Sequence, residues 1–255
     1  MDKQFDDFPK FSIITVCRNE AENIRRTCES ICSQTCSDFE WIVIDGESTD
    51  GTLDILAEYS SKISCLVSEP DGGIYDAMNK GIQRATGEFL LFLNGGDYLA
   101  DEQVLEVVAS VPRRDVLYGD MRCVRPNGET FVRSFPDELT SAFLLRHRLP
   151  HQSAFFRRSL FAEYGNYDTS FRIAADYDLF VRLLYAHKAS YFHIPCVVSV
   201  FKTGGASAQS RALGKIENHY IRKKHFPWYV YGFKGFSAEL KTRKLLRSRC
   251  HREPR

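Results

Sequence analysis

"FSIITVCRNEAENIRRTCESICSQTCSDFEWIVID", residues 11–45, holds two apolar runs, Phe11 to Val16 and Glu40 to Ile44, on either side of a helical pattern. The runs are continuous rather than alternating, which is how strands buried on both faces read. Between them, Asn19 followed by Glu22 has capping-box spacing, and Ala21, Ile24, Cys28 and Ile31 mark one face of a helix. Two more runs follow, Ile63 to Ser68 and Glu88 to Leu93. Helical patterns lie between them, one holding Leu53, Leu56 and Tyr59 and another running from about Tyr75 to Arg84. The order β-α-β-α-β-α-β implies right-handed crossovers and an α/β sandwich.

Beyond Ser110 the pattern becomes α+β. Residues 115–124 and 129–135 read as a hairpin around Asn127-Gly128, "HQSAFF" precedes a short helix, Asp176 to His187 reads as a helix, and residues 190–202 return as strand. No linker, low-complexity tract or repeat interrupts the chain. One domain over residues 1–210 is expected, followed by a helical basic tail over 211–255.

At 255 residues the chain can bury a full core, and none of its apolar stretches approaches the roughly 20 residues that span a bilayer. "MDKQFDDFPK" is unlike a signal peptide, so a cytoplasmic location is expected. The eight cysteines then read as reduced thiols, and Cys28, Cys32 and Cys36 as small core hydrophobes rather than a zinc or redox site. The net charge of +1 hides an asymmetry. Residues 211–255 carry 13 Lys and Arg against 3 acids, leaving a net −9 for the rest of the chain. That acidic body has no basic face or motif suited to nucleic acid, which is not an expected partner. The tail interleaves its charges with Tyr220, Phe226, Trp228, Tyr229, Tyr231, Phe233 and Phe236, a composition suited to the interface of an anionic membrane.

Three carboxylates fall at strand ends. Asp45 ends the second strand, Asp71 follows the third, and Asp97, in "FLLFLNGGDYL", follows the fourth. Open α/β sheets bind ligands beyond these ends. Each acid alone reads equally as a helix cap or turn residue, but together they suit a cation-bound phosphate ligand. Neither GxGxxG nor GxxxxGK[ST] is present.

"FSIITVCRNEAENI", "EWIVIDGESTDGTLDIL", "SEPDGGIYDAMNKGIQRATGEFLLFLNGGD" and "IAADYDLFVRLL", in this order, resemble the family 2 glycosyltransferases. The resemblance is nearest to bacterial exopolysaccharide enzymes such as the colanic acid transferases. It implies a GT-A fold, with a Rossmann-like, mostly parallel central sheet flanked by helices. The implied activity is inverting transfer of a hexosyl group from a nucleotide-diphosphate sugar to a hydroxyl, in surface polysaccharide synthesis. UDP-sugar is the default donor, and GDP-sugar also occurs in this branch. The acceptor would be a glycan or a polyprenyl-diphosphate-linked saccharide, consistent with an enzyme held at the inner face of the membrane.

Residue by residue, the resemblance places Thr15, Val16, Arg18 and Glu20 against the nucleoside, with Asp45 and Asp71 at the base. The family's Pro-Val-Tyr reads Val-Cys-Arg here, so a guanidinium replaces an aromatic ring. "NGGD" stands where the family carries Asp-x-Asp. Asp97 keeps the final acid, for the ribose and a Mg²⁺ or Mn²⁺ ion. Asp176 matches the catalytic base, at a helix N-terminus. His151 and Gln152 match a motif on the acceptor side, and Gly204, Gly205 and Ser207 a loop that closes over the diphosphate. The thinned metal motif admits a rival reading, a sugar-nucleotide-binding protein without catalysis.

Overall fold

Strand β1 (Phe11–Cys17) is buried at all seven positions, and its side chains divide between two separate cores. Ile14 and Val16 enter one; Phe11, Ile13 and Cys17 enter the other. Its parallel neighbours β2 (Phe39–Asp45) and β4 (Phe89–Phe92) divide in register: Ile13 pairs with Trp41 and Leu91, Ile14 with Ile42 and Phe92. The continuous apolar runs are thus two interleaved sets of period two, one for each face of the sheet. This computed structural model describes residues 9–204 and 210–226.

Helices α1 (Ile24–Cys32), α2 (Thr52–Ala57) and α4 (Val104–Ser110) cover the Ile13 face, through Ile24, Cys28, Ile31, Leu56, Leu105 and Val108. The other face is covered by α3 (Ile74–Arg84), α5 (Ser141–Arg146), α6 (Ser159–Tyr164) and α7 (Ala175–Phe180). The chain steps outward from β1 through β2 to β3 (Cys65–Ser68), then returns over the second face on α3 to place β4 on the far side of β1. The strand order therefore reverses between β1 and β4, the position beyond whose carboxyl ends open α/β sheets bind ligands.

Beyond β4 the sheet is mixed. β8 (Ala154–Arg157) runs antiparallel between β4 and β6 (Val116–Val124), β9 (Tyr191–Lys202) is parallel to β6, and β5 (Tyr98–Leu99) closes the far edge. The expected hairpin is present, with β7 (Thr130–Arg133) antiparallel to β6.

Three local expectations are corrected. Asn19 is not a helix cap: it sits at φ 54°, outside α1, and its side-chain oxygen accepts from the Thr49 N–H at 2.9 Å. Glu20 and Ala21 donate their N–H groups to Thr52 and Asp50, so this stretch ties β1 to the loop after β2 instead of starting a helix. Helix α2 ends at Ala57, leaving Tyr59 in the following turn. The helix expected from Asp176 to His187 is α-helical only to Phe180 and continues as a π-helix over Val181–Ala186.

The segment beyond residue 210 begins with α8 (Arg211–His225), which packs on α7 and the π-helical turn. Ile216, Ile221 and Phe226 are buried, and the Phe226 ring lies 4.2 Å from that of Tyr185. Trp228, Tyr229, Tyr231, Phe233 and Phe236, which carry much of the membrane reading, lie outside the described residues, as do Gly205 and Ser207. Among the described residues no helix is long and apolar enough to cross a membrane.

Candidate active site

The turn after β4 is built against the end of β1. The Gly95 N–H donates to Val16 O at 2.9 Å, and a Cβ at Gly95 would stand 2.9 Å from Cys17 Cβ and 3.0 Å from Glu20 Cγ, so only glycine fits. Thr27 of α1 locks the turn. Its hydroxyl accepts from Gly96 N–H at 3.0 Å and donates to Asp97 O at 2.7 Å. Asp97 is thereby held with its side chain turned inward and 6% exposed. Burial pushes its carboxyl up to about 7; His151 and Gln152 oppose the rise and Glu20 adds to it.

Across from this turn stands Asp176, in the first turn of α7. It does not cap the helix. Its Oδ1 accepts from the Tyr177 N–H at 2.7 Å and from the Tyr75 hydroxyl at 3.3 Å. His151 lies between the two acids. Its Nδ1 is 3.7 Å from Asp176 Oδ2, and its Nε2 is 3.0 Å from the Asn94 amide nitrogen. With that amide donating, the ring proton is assigned to Nδ1, facing Asp176. Burial raises the Asp176 carboxyl, but His151, Arg148 and the Tyr177 N–H outweigh it, and the group ends below its ordinary value. A carboxylate in that condition is ionised at neutral pH and can accept a proton.

Asp97, His151, Gln152 and Asp176 are thus brought together from the turn after β4, the 3₁₀ turn His151–Ser153 and α7. His151 and Gln152 are buried, their chemistry directed towards these acids. Sequence reasoning missed Tyr75, which α3 places on Asp176; burial and Asp176 raise its hydroxyl, keeping it a donor. It also missed Arg148, whose charge acts on Asp176. A cleft of about 280 Å³, lined by Tyr75, Asp76, Thr169, Phe171 and Arg172 among others, opens one tyrosine away from Asp176.

The remaining expected residues lie along the same sheet edge towards β3. Asp45 has no exposed surface: its oxygens accept from Ser48 N–H at 2.9 Å, from the Ser48 hydroxyl, and from Ser68 Oγ at 2.7 Å. Thr15 and Val16 are buried in β1, with the Thr15 hydroxyl accepting from Trp41 Nε1 at 3.0 Å. Asp71 and Arg18 do reach the edge. A Cβ at Gly46 would stand 2.4 Å from Asp71 Oδ2 and 3.3 Å from Arg18 Cδ, so this glycine lets the two side chains converge. Glu20 is half-buried beside Gly95, its carboxyl raised chiefly by burial. Gly204 stands exposed at φ 108° just past β9.

For a divalent ion the donors are few. Among the described residues no three His, Cys, Asp or Glu side chains are grouped to hold a metal. Asp97 and the buried, unpartnered Oδ1 of Asn94 nevertheless offer two oxygens from one turn. That fits an ion that draws its other ligands from water and a diphosphate.

The family model described as Glycosyl transferase family 2 matches residues 12–165. A PGL/p-HBAD biosynthesis glycosyltransferase of Mycobacterium tuberculosis is 35% identical over 208 residues, covering 78% of this chain and 79% of that protein. An uncharacterized glycosyltransferase of Haemophilus influenzae is 26% identical, covering 83% and 77%. Among solved structures, S. aureus TarS 1–349 in complex with UDP-GlcNAc aligns with a TM-score of 0.67 at 20% identity, covering 93% of this chain and 71% of that one. The mannosyltransferase PcManGT from Pyrobaculum calidifontis, with GDP-Man and Mn2+, aligns at 0.65 and 18% identity, covering 100% and 80%. These likenesses show the GT-A fold, and with the family match and the mycobacterial relative they establish that the chain belongs to glycosyl transferase family 2.

Proposed function

We propose that this glycosyltransferase moves a hexosyl group, with inversion, from a UDP-sugar to a hydroxyl of a glycan or polyprenyl-diphosphate-linked acceptor. The observation that carries the reading is Asp176. It is ionised, oriented by Tyr75 and the Tyr177 N–H, and linked through His151 to the turn that bears Asp97. In the transfer, Asp176 takes the proton of the acceptor hydroxyl as its oxygen forms the new bond to the anomeric carbon. The bond from that carbon to the diphosphate breaks, and its electron pair leaves with the diphosphate. A Mg²⁺ or Mn²⁺ ion, held by Asp97 and Asn94, would supply charge neutralisation for that leaving group.

On the donor side, Arg18 and Asp71 converge over Gly46 to receive the base, the guanidinium stacking where relatives place an aromatic ring. Asp45 serves that pocket from beneath by fixing Ser48, Thr15 and Val16 shape its floor, and Glu20 flanks the diphosphate beside Gly95. Gly204, just past β9, would present its backbone to the diphosphate. His151 and Gln152 tune the acids and meet the acceptor hydroxyl. The UDP-GlcNAc and GDP-Man bound to the two structural neighbours support a sugar-nucleotide donor. The basic, aromatic segment beyond α8 would hold the enzyme against an anionic membrane surface.

The test is a panel of UDP- and GDP-sugars, assayed with Mn²⁺ for protein-dependent release of nucleoside diphosphate. Turnover of a UDP-sugar is expected. Tight binding of a donor with no turnover, with or without saccharide acceptors, would instead identify a sugar-nucleotide-binding protein.

A further inference from the structure

We propose that Glu217, on α8, is a positioning residue for the base; this rests on the reading of Asp176 as that base. The N-cap position of α7 is Ala174, whose side chain cannot cap the helix. The chain entering it is fixed instead from 45 residues away. The Arg172 N–H donates to Glu217 Oε1, and the Ile173 and Ala174 N–H groups donate to Oε2, each at 2.9 Å. Three successive N–H groups converging on one buried carboxylate form a nest that sets the backbone two residues before Asp176.

The same helix holds α7 on the other side of the base. Lys224 and His225, two turns along α8 from Glu217, donate to Asp178 Oδ1 at 3.2 and 2.9 Å. Asn218, next to Glu217, accepts from Arg148, whose charge helps to keep Asp176 ionised. α8 thus lies alongside α7 as a splint, gripping it before and after Asp176. Since a displacement of about 1 Å can cost 10²-fold in rate, loosening the first grip should act on turnover rather than on donor binding.

The experiment compares Glu217→Gln with Ile221→Ala, which removes a buried contact of α8 and touches none of the three N–H groups. Melting temperatures are measured first; donor affinity by calorimetry, and kcat and KM with an identified donor and acceptor, are then measured well below both transitions. Glu217→Gln should keep donor affinity and KM while kcat falls by about 10²; Ile221→Ala should lower the melting temperature with kcat retained. Full kcat in Glu217→Gln, or equal kcat losses in both variants, overturns the proposal. Should Glu217→Gln not fold, Glu217→Asp, whose shorter stem withdraws the carboxylate, is read the same way. Asp176→Asn is run alongside. If it keeps full turnover, the base assignment itself has failed, an outcome distinct from a silent Glu217 beside an inactive Asp176→Asn.

Discussion

His151 Nδ1 lies 3.7 Å from Asp176 Oδ2, near enough for its N–H dipole to act on the carboxylate and too far for a hydrogen bond. The imidazole is the foremost influence opposing the burial of that carboxyl. In His151→Ala the burial goes less opposed, so the Asp176 carboxyl titrates at higher pH than in the native chain. The acid limb of the kcat profile should move to higher pH, with the plateau less affected. Rates measured across the acid range test this; an unmoved limb would show that His151 does not tune the base.

Asp176→Asn should keep the fold and the donor affinity while turnover falls by about 10² to 10⁴, because an amide cannot take the acceptor's proton. Initial rates and calorimetric donor titration on the same preparation separate the two effects. Retained turnover would remove Asp176 from the role.

The carboxyl of Asp97 is pushed up to about 7 by burial. Between the ordinary value of 3.8 and about 7, the folded chain holds a proton that the unfolded chain has released. Its contribution to stability therefore falls as pH rises through that window, by at most about 1.4 kcal/mol per pH unit, and is flat above it. Urea midpoints from pH 4.5 to 7.5 should fall less steeply in Asp97→Asn than in the native chain.

The same proton competes with a cation. Mn²⁺ affinity in the presence of nucleoside diphosphate should weaken below pH 7, with proton release on binding, and Asp97→Ala should abolish the effect of Mn²⁺ on donor affinity. Donor binding indifferent to EDTA and to the substitution would show that no ion is held there.

Ending the chain at Ser210 removes Ile216, Ile221 and Phe226 from the core along with Glu217. That chain should be markedly less stable and inactive, whereas one ending at Phe226 should keep its melting temperature and donor binding but lose salt-sensitive attachment to anionic vesicles. Vesicle binding undiminished by the cut at 226 would rule out the distal segment as the membrane contact.

Much of this architecture was legible in the sequence because it is local. Periodicity located the four parallel strands and the hairpin, and position at a strand end singled out Asp97, whereas only the family resemblance singled out Asp176. What escaped was set by distant partners. Asn19 has the spacing of a cap, but Thr49, Asp50 and Thr52 recruit its surroundings into a tie between loops. Asp45 reads as an acid at a strand end, and its burial against Ser48 and Ser68 is what that position does not reveal. The charge run of 211–255 reads as an appendage because its net charge masks one buried acid, Glu217, and two buried isoleucines. Composition cannot show which acid in a basic segment faces inward.

The dependence of residues 172–174 on Glu217 also sets an order of assembly. A growing chain presents β1 to β4 first, and these can find one another while synthesis continues. The loop before Asp176 emerges with no carboxylate to gather its N–H groups, because the one that does so is made 45 residues after Arg172. Asp176 can take the position described above only once residue 217 has been made, so a chain that has not reached it would carry a formed sheet edge beside an unset acid.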